Sequence, residues 1–86
     1  MTGPGQLVLV ATPIGNLGDV TLRALEILRT VPLIAAEDTR HTRRLLDRHN
    51  VATRTTSYHA QSDASRTTAL LEHLRGGADL ALVTDA

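Results

Sequence analysis

Two carboxylates, a hydroxyl and a guanidinium stand in four consecutive positions at Glu37-Asp38-Thr39-Arg40, the densest group of reactive side chains in the chain. Polar residues recur at Pro13-Ile14-Gly15-Asn16-Leu17-Gly18-Asp19, Tyr58-His59 and Thr84-Asp85. Glycines let backbone approach a ligand closely, and carboxylates can bind ribose hydroxyls or sit near a cationic centre. The same Asp and Thr residues are equally suited to capping the helix that follows a strand. Arg40, Arg43, Arg44 and Arg48 can face phosphates or form a solvated helix face paired to Asp47. The glycine loop matches neither standard phosphate fingerprint: Gly15-x-x-Gly18 lacks the leading Gly-x-Gly, and a chain without lysine has no P-loop. His41, His49, His59 and His73 show no His-x-x-x-His spacing, so no metal site is expected. Ser57 and His59 flank Tyr58 on one expected strand, which does not make a ready Ser-His pair.

Composition removes further classes. The 86 residues contain nine arginines and nine acids, no cysteine and one aromatic residue, Tyr58. Without cysteine there is no disulfide framework, no thiolate-ligated metal and no cysteine nucleophile. One aromatic cannot build a base-stacking platform, and the balanced charge argues against a wholly basic nucleic-acid binder. Four of the nine arginines nevertheless fall between Arg40 and Arg48, giving one local basic face. Arginine used to the exclusion of lysine also fits a bias of genome base composition. Apolar runs such as Leu7 to Ala11 are about five residues long, against about twenty for a membrane span, and the N-terminus has no signal-peptide pattern. A soluble, cytoplasmic chain with no membrane partner is the expectation.

The elements that must position these residues alternate. Leu7-Val8-Leu9-Val10-Ala11 reads as a strand buried on both faces, ending where Pro13 biases Thr12 away from helix. Asp19 to Thr21 supplies N-cap chemistry for a helix from Leu22 to Leu28. Val31 to Ala36 repeats the strand pattern, Thr39 opens a second helix carrying the arginines, and Asn50 is its stop. Arg54 to Ser57 is a third strand. Ser62 to Ser65 is rich in capping residues, Leu70, Leu71 and Leu74 give a third helix its buried side, Gly76-Gly77 ends it, and Leu80 to Val83 is a fourth strand. This order implies an α/β fold with right-handed crossovers and a mainly parallel sheet with flanking helices. Residues 1–6 are expected to form a flexible N-terminus and 7–86 one domain truncated at its C-terminal end, with self-association a consequence of the exposed sheet. In such a sheet ligands gather outside the carboxyl ends of the strands, which is where the four polar groups fall.

The stretches Leu7-Val8-Leu9-Val10-Ala11-Thr12-Pro13-Ile14-Gly15-Asn16-Leu17-Gly18-Asp19-Val20-Thr21-Leu22-Arg23-Ala24-Leu25 and Ala35-Ala36-Glu37-Asp38-Thr39-Arg40-His41-Thr42-Arg43-Arg44-Leu45-Leu46 resemble the opening of the bacterial small-subunit ribosomal RNA cytidine 2′-O-methyltransferases, a branch of the tetrapyrrole methylase superfamily. The likeness extends through Ser57-Tyr58-His59 to Ala81-Leu82-Val83-Thr84-Asp85-Ala86. It implies the N-terminal lobe of a two-domain, typically dimeric enzyme that binds S-adenosylmethionine between its domains and acts on ribosomal RNA or the small ribosomal subunit. By position, Pro13, Ile14 and Gly15 after the first strand and Thr84 and Asp85 after the fourth correspond to cofactor-binding places. A ribose 2′-hydroxyl is a poor nucleophile and benefits from a base, for which Glu37, Asp38 and His59 are the candidates. Arg40, Arg43 and Arg44 would position RNA backbone without reading sequence.

Two other readings remain open at this level. A tetrapyrrole or corrin precursor methylase shares the fold and donor, but its first loop typically reads Gly-x-Gly-Pro-Gly-Asp, where this chain has Ala11, Pro13 and Asn16. A non-catalytic piece keeping only a fold and a dimer surface is the alternative from another class.

Overall fold

The computed structural model describes residues 3–12, 18, 20–59 and 64–85. Seven elements alternate along it: β1 (Leu7–Thr12), α1 (Leu22–Thr30), β2 (Ile34–Ala36), α2 (Thr39–Arg48), β3 (Thr55–Ser57), α3 (Ala64–Arg75) and β4 (Leu80–Asp85). The strands form one sheet in the order β1-β4-β2-β3, and every neighbouring pair is parallel. The α/β parallel architecture expected from the element order is therefore present. No helix among the described residues is long and apolar enough to cross a membrane.

Side-chain alternation divides the interior between the two sheet faces. Val10, Ile34, Ala36, Ala81 and Val83 pack with Leu25 and Leu28 of α1 and Leu45 and Leu46 of α2. Ala35, Leu80 and the half-buried Leu82 pack with Leu70 and Leu74 of α3 on the other face. This distribution is what a single crossover hand requires. The steps from β1 to β2 and from β2 to β3 run one way across the sheet, and the step from β3 back to β4 runs the other.

Caps terminate the helices by local chemistry. Thr21 Oγ1 accepts the Ala24 N–H at 3.1 Å and so fixes the start of α1. At the end of α2 the N–H groups of Val51 and Asn50 reach the carbonyls of Leu46 and Asp47, at 2.8 and 3.2 Å, with Asn50 at φ 57°. That is a complete Schellman closure, and it seats Val51 in the core beside Leu46. Gly77, at φ 93°, closes α3 through the same pair of bonds, from Ala78 to His73 and from Gly77 to Leu74.

Four expectations need correction. β1 is not buried on both faces: it is an edge strand, and Leu7 and Leu9, register partners of Leu80 and Leu82 on the α3 face, remain 52% and 68% exposed because α3 covers that face incompletely at the edge. Leu71 of α3, expected inside, is 44% exposed and borders a partly open apolar pocket shared with Leu7. β2 begins at Ile34 instead of Val31, because Val31 still donates its N–H to the Ile27 carbonyl as the C-cap of α1. Gly5 and Gln6, expected within a flexible N-terminus, are tied to the sheet and α3. Gly5 donates to the Leu74 carbonyl at 2.6 Å, and Gln6 donates to Asp79 Oδ1 at 2.8 Å.

Gly5 also sets a steric limit, since a β-carbon there would overlap the Ala78 backbone carbonyl, whereas one on Gly3 would meet open space. Gly5→Ala is expected to destabilise the chain by about 1–3 kcal/mol, as other forced overpacking does. Gly3→Ala should stay within about 0.5 kcal/mol. Urea denaturation of the two variants checks the contrast.

Candidate functional site

Strand register brings the carboxyl ends to one level. Ala36 is the partner of both Val83 and Ser57, while Ala11 and Thr12 are opposite Thr84 and Asp85. Glu37-Asp38, Tyr58-His59 and Thr84-Asp85 therefore leave adjacent strands side by side. After β2 the chain turns to the α1/α2 face, and after β3 to the α3 face. The space between these two exits is a topological switch point, the usual place for a ligand in an open α/β sheet.

The two carboxylates of the second exit have different surroundings. Asp38 is the N-cap of α2, and its Oδ1 accepts the Arg40 and His41 N–H groups at 3.0 and 3.2 Å. The bond from His41 is the largest influence, with a smaller one from Arg40. Together they hold Asp38 below its ordinary 3.8 against an opposing desolvation. Glu37, one residue earlier, is exposed at the sheet edge.

The arginines divide in the same way. Arg43 donates to the Thr53 carbonyl at 2.6 Å and lies 3.7 Å from Asp47, so it ties α2 to the segment leading into β3. Arg40 and Arg44 are exposed, one helical turn apart. With Arg43, Asp38, Thr39 and Thr55 they line a cavity of about 690 Å³. The start of α2 adds its own positive partial charge, so the cavity is suited to an anion.

At the third exit, Tyr58 donates its N–H to the Ala36 carbonyl at 2.9 Å, and its hydroxyl is 3.1 Å from Thr67 Oγ1. Arg66 donates through one nitrogen to Thr56 Oγ1, the Ser57 carbonyl and Ser57 Oγ, at 2.9, 2.7 and 3.1 Å. The first turns of α3 thus clamp the segment that carries the exposed His59. Sequence reasoning missed Arg66; its place one residue before Thr67 in the capping-rich start of α3 was the available signal. At the fourth exit Thr12 is buried and its hydroxyl donates to the Thr84 carbonyl at 3.4 Å, leaving Thr84 exposed beside the end of β1. Pro13, Ile14 and Gly15, as well as Ser62, lie outside the described residues.

A parallel sheet whose described exits gather hydroxyls, carboxylates and an arginine-lined cavity at one edge has the form that open α/β folds use for ligand sites. The chain matches the family model for tetrapyrrole (corrin/porphyrin) methylases over residues 6–85, and it belongs to that family. It is 55% identical over 84 residues to a protein of Micromonospora olivasterospora named ribosomal RNA small subunit methyltransferase I, covering 98% of this chain and 27% of the relative. Proteins of the same name from Synechocystis and Escherichia coli O157:H7 are 57% and 50% identical over 82 residues, each covering 95% of this chain and 29% of the relative. The chain thus spans less than a third of the length of the curated relatives it matches.

The lowered Asp38 pKa has a consequence for acid stability. Ionised Asp38 contributes its full stabilisation above the ordinary value of 3.8, and the contribution is lost as pH falls through the lowered folded value. Asp38→Asn keeps a capping oxygen but removes this dependence. Urea midpoints at neutral pH and below pH 3.8 should therefore differ less in the variant than in the parent chain. Equal acid sensitivity in both would contradict the assignment.

Proposed function

We propose that this chain is the N-terminal lobe of an S-adenosylmethionine-dependent methyltransferase that modifies the 2′-hydroxyl of a cytidine in small-subunit ribosomal RNA. The observation that carries the reading is the arginine-lined cavity beside the carboxyl edge. Its charge suits a polyanion, and the relatives' names state a ribosomal RNA substrate. A corrin or porphyrin precursor is the alternative within the family; carboxylated precursors are also anions, so the acceptor must be tested directly.

The donor chemistry of the edge fits the cofactor. Around the ends of β1 and β4 the sequence provides Thr12, Thr84 and Asp85, hydroxyls and a carboxylate residue, while the described arginines of the cavity belong to α2. Such a set suits ribose hydroxyls and a cationic sulfur centre. Pro13, Ile14, Gly15, Thr84 and Asp85 are the residues that would hold S-adenosylmethionine, which when bound supplies a methyl group on a positively charged sulfur. Arg40 and Arg44 hold the RNA backbone through phosphate oxygens, with Arg43 keeping α2 against the β3 segment. That arrangement delivers a ribose to the space between the second and third exits.

Glu37 and His59 are the better placed acceptors for the 2′-hydroxyl proton. Asp38 is the poorest, because a carboxylate held below 3.8 by two backbone N–H groups is a weak base. The whole protein acts as a cytoplasmic homodimer in this reading, and the exposed Leu7, Leu9 and Leu71 support a further covering surface.

The test uses the full-length protein, methyl-labelled donor and small-subunit RNA, followed by nuclease digestion. Label is expected in 2′-O-methylcytidine; transfer instead to a uroporphyrin-type acceptor overturns the reading. Replacing the base is expected to lower kcat by roughly 10²–10⁴-fold, so Glu37→Gln and His59→Ala identify which residue serves. The double variant Arg40→Ala/Arg44→Ala should weaken RNA binding and make its salt dependence shallower, by about 0.7 in log–log slope for each phosphate no longer neutralised.

A further inference from the structure

A second basic cavity, of about 340 Å³, lies on the α3 side of the sheet and includes Arg54, Thr55, Thr56, Arg66, Ala69 and His73 in its lining. Thr55 lines this cavity and the larger one under α2 alike. The two are therefore separated only by β3, a three-residue strand at the edge of the sheet. The described linings of the two cavities carry Arg40, Arg43 and Arg44 on one side and Arg54 and Arg66 on the other against a single acid, Asp38. From Thr39 to His59 the chain carries Arg40, Arg43, Arg44, Arg48 and Arg54 against a single acid, Asp47, although the whole chain is neutral.

The backbone of β3 adds donors and acceptors at the crossing. Arg54 gives its carbonyl to Ile34, and Tyr58 gives its N–H to Ala36, so these residues and Thr56 direct their backbone groups towards β2. Thr55 and Ser57 consequently direct theirs to the free edge. Arg66 occupies the Ser57 carbonyl, leaving the outward groups of Thr55 at the rim shared by both cavities.

We propose that the RNA path does not end in the α2 cavity but continues over Thr55 and Arg54, around the β3 edge, into the α3 cavity, and that the RNA is unpaired where it crosses. This rests on the RNA reading above. The requirement for an unpaired strand is mechanical. The cavities open on opposite faces of a sheet in a chain whose backbone extends only 19 Å along its shortest axis. A duplex, with a persistence length of order 50 nm in the DNA case, cannot turn from one face to the other over that distance, whereas a single strand can. Arg54 then contributes a backbone contact, and Arg66, already fixed on Ser57 and Thr56, presents a preoriented positive group in the far cavity.

Fluorescence anisotropy of the full-length protein with labelled oligouridylate, alone and annealed to oligoadenylate, tests the path across a salt series. The unpaired oligomer should bind more tightly than the duplex. Arg54→Ala should reduce the log–log salt slope by about 0.7, the value for one phosphate on a single strand. Arg75→Ala, on an exposed residue paired with Glu72 at the other end of α3, should leave the slope unchanged. Circular dichroism and urea midpoints confirm that the variants are folded. A slope unaltered in Arg54→Ala but reduced in Arg40→Ala/Arg44→Ala confines the RNA to the α2 cavity and overturns this inference alone. Slopes unaltered in both variants overturn the RNA reading and this inference with it, and equal or tighter duplex binding overturns the unpaired crossing.

Discussion

Everything in this fold depends on the double ladder of β4. The last strand in the chain enters the middle of the sheet, pairing with β1 on one side and β2 on the other. Leu7 and Leu80 are register partners far apart in the described chain, so the described sheet cannot assemble until β4 is in place. Such pairing carries the full loop-closure cost before any contact rewards it. The compensation is burial on both faces: Ala81 and Val83 serve the α1/α2 core while Leu80 and Leu82 serve the α3 core. A slip of one residue would exchange these two sets, which is why the register is closely specified.

The candidate site is a consequence of that register. The described strands are all parallel and their carboxyl ends are level, so the segments leaving β2 and β3 deliver their polar residues to a common edge beside the ends of β1 and β4. Small residues at the centre, Ala35, Ala36 and Ala81, allow helices to approach from both faces. The helices in turn hold the exits. Asp38 anchors the start of α2, and Arg66 and Thr67 of α3 anchor the departure from β3. The side chains left outward, Glu37 and His59 among them, are carried on segments whose backbone is already fixed.

Much of this was readable from local chemistry. Thr21, Asn50 and Gly76-Gly77 mark helix boundaries by capping rules that operate within a few residues, and the structure places the ends of α1, α2 and α3 accordingly. The alternation of elements likewise implied a parallel sheet. What could not be read was anything decided by strand order. The run Leu7 to Ala11 has the composition of a doubly buried strand, yet insertion of β4 leaves β1 at an edge with Leu9 uncovered. Nor could spacing show that Arg43 would be taken by the Thr53 carbonyl, or that Arg66 would reach across to Ser57. Both are contacts between a helix and a strand segment, made only after the sheet exists.

The division of labour on α2 follows from helical geometry acting on that framework. Thr42, Leu45 and Leu46 face the sheet and are buried, a narrow apolar stripe that suffices because Val51 is drawn in beside them by the Schellman closure. Arg43 flanks this stripe on the side of the β3 segment, close enough for its guanidinium to satisfy a loop carbonyl. Arg40, Arg44 and Arg48 repeat every fourth residue, a rise of about 6 Å per step, and form an exposed row. A neutral chain thereby gains a directional basic surface without extra net charge: of the acids beside it, Asp38 is engaged by the backbone N–H groups at the start of α2, and Asp47 is near the arginine already used for structure. Neutrality of the total and polarity of the surface are thus compatible, because the sheet edge, and not the composition, decides where the charge acts.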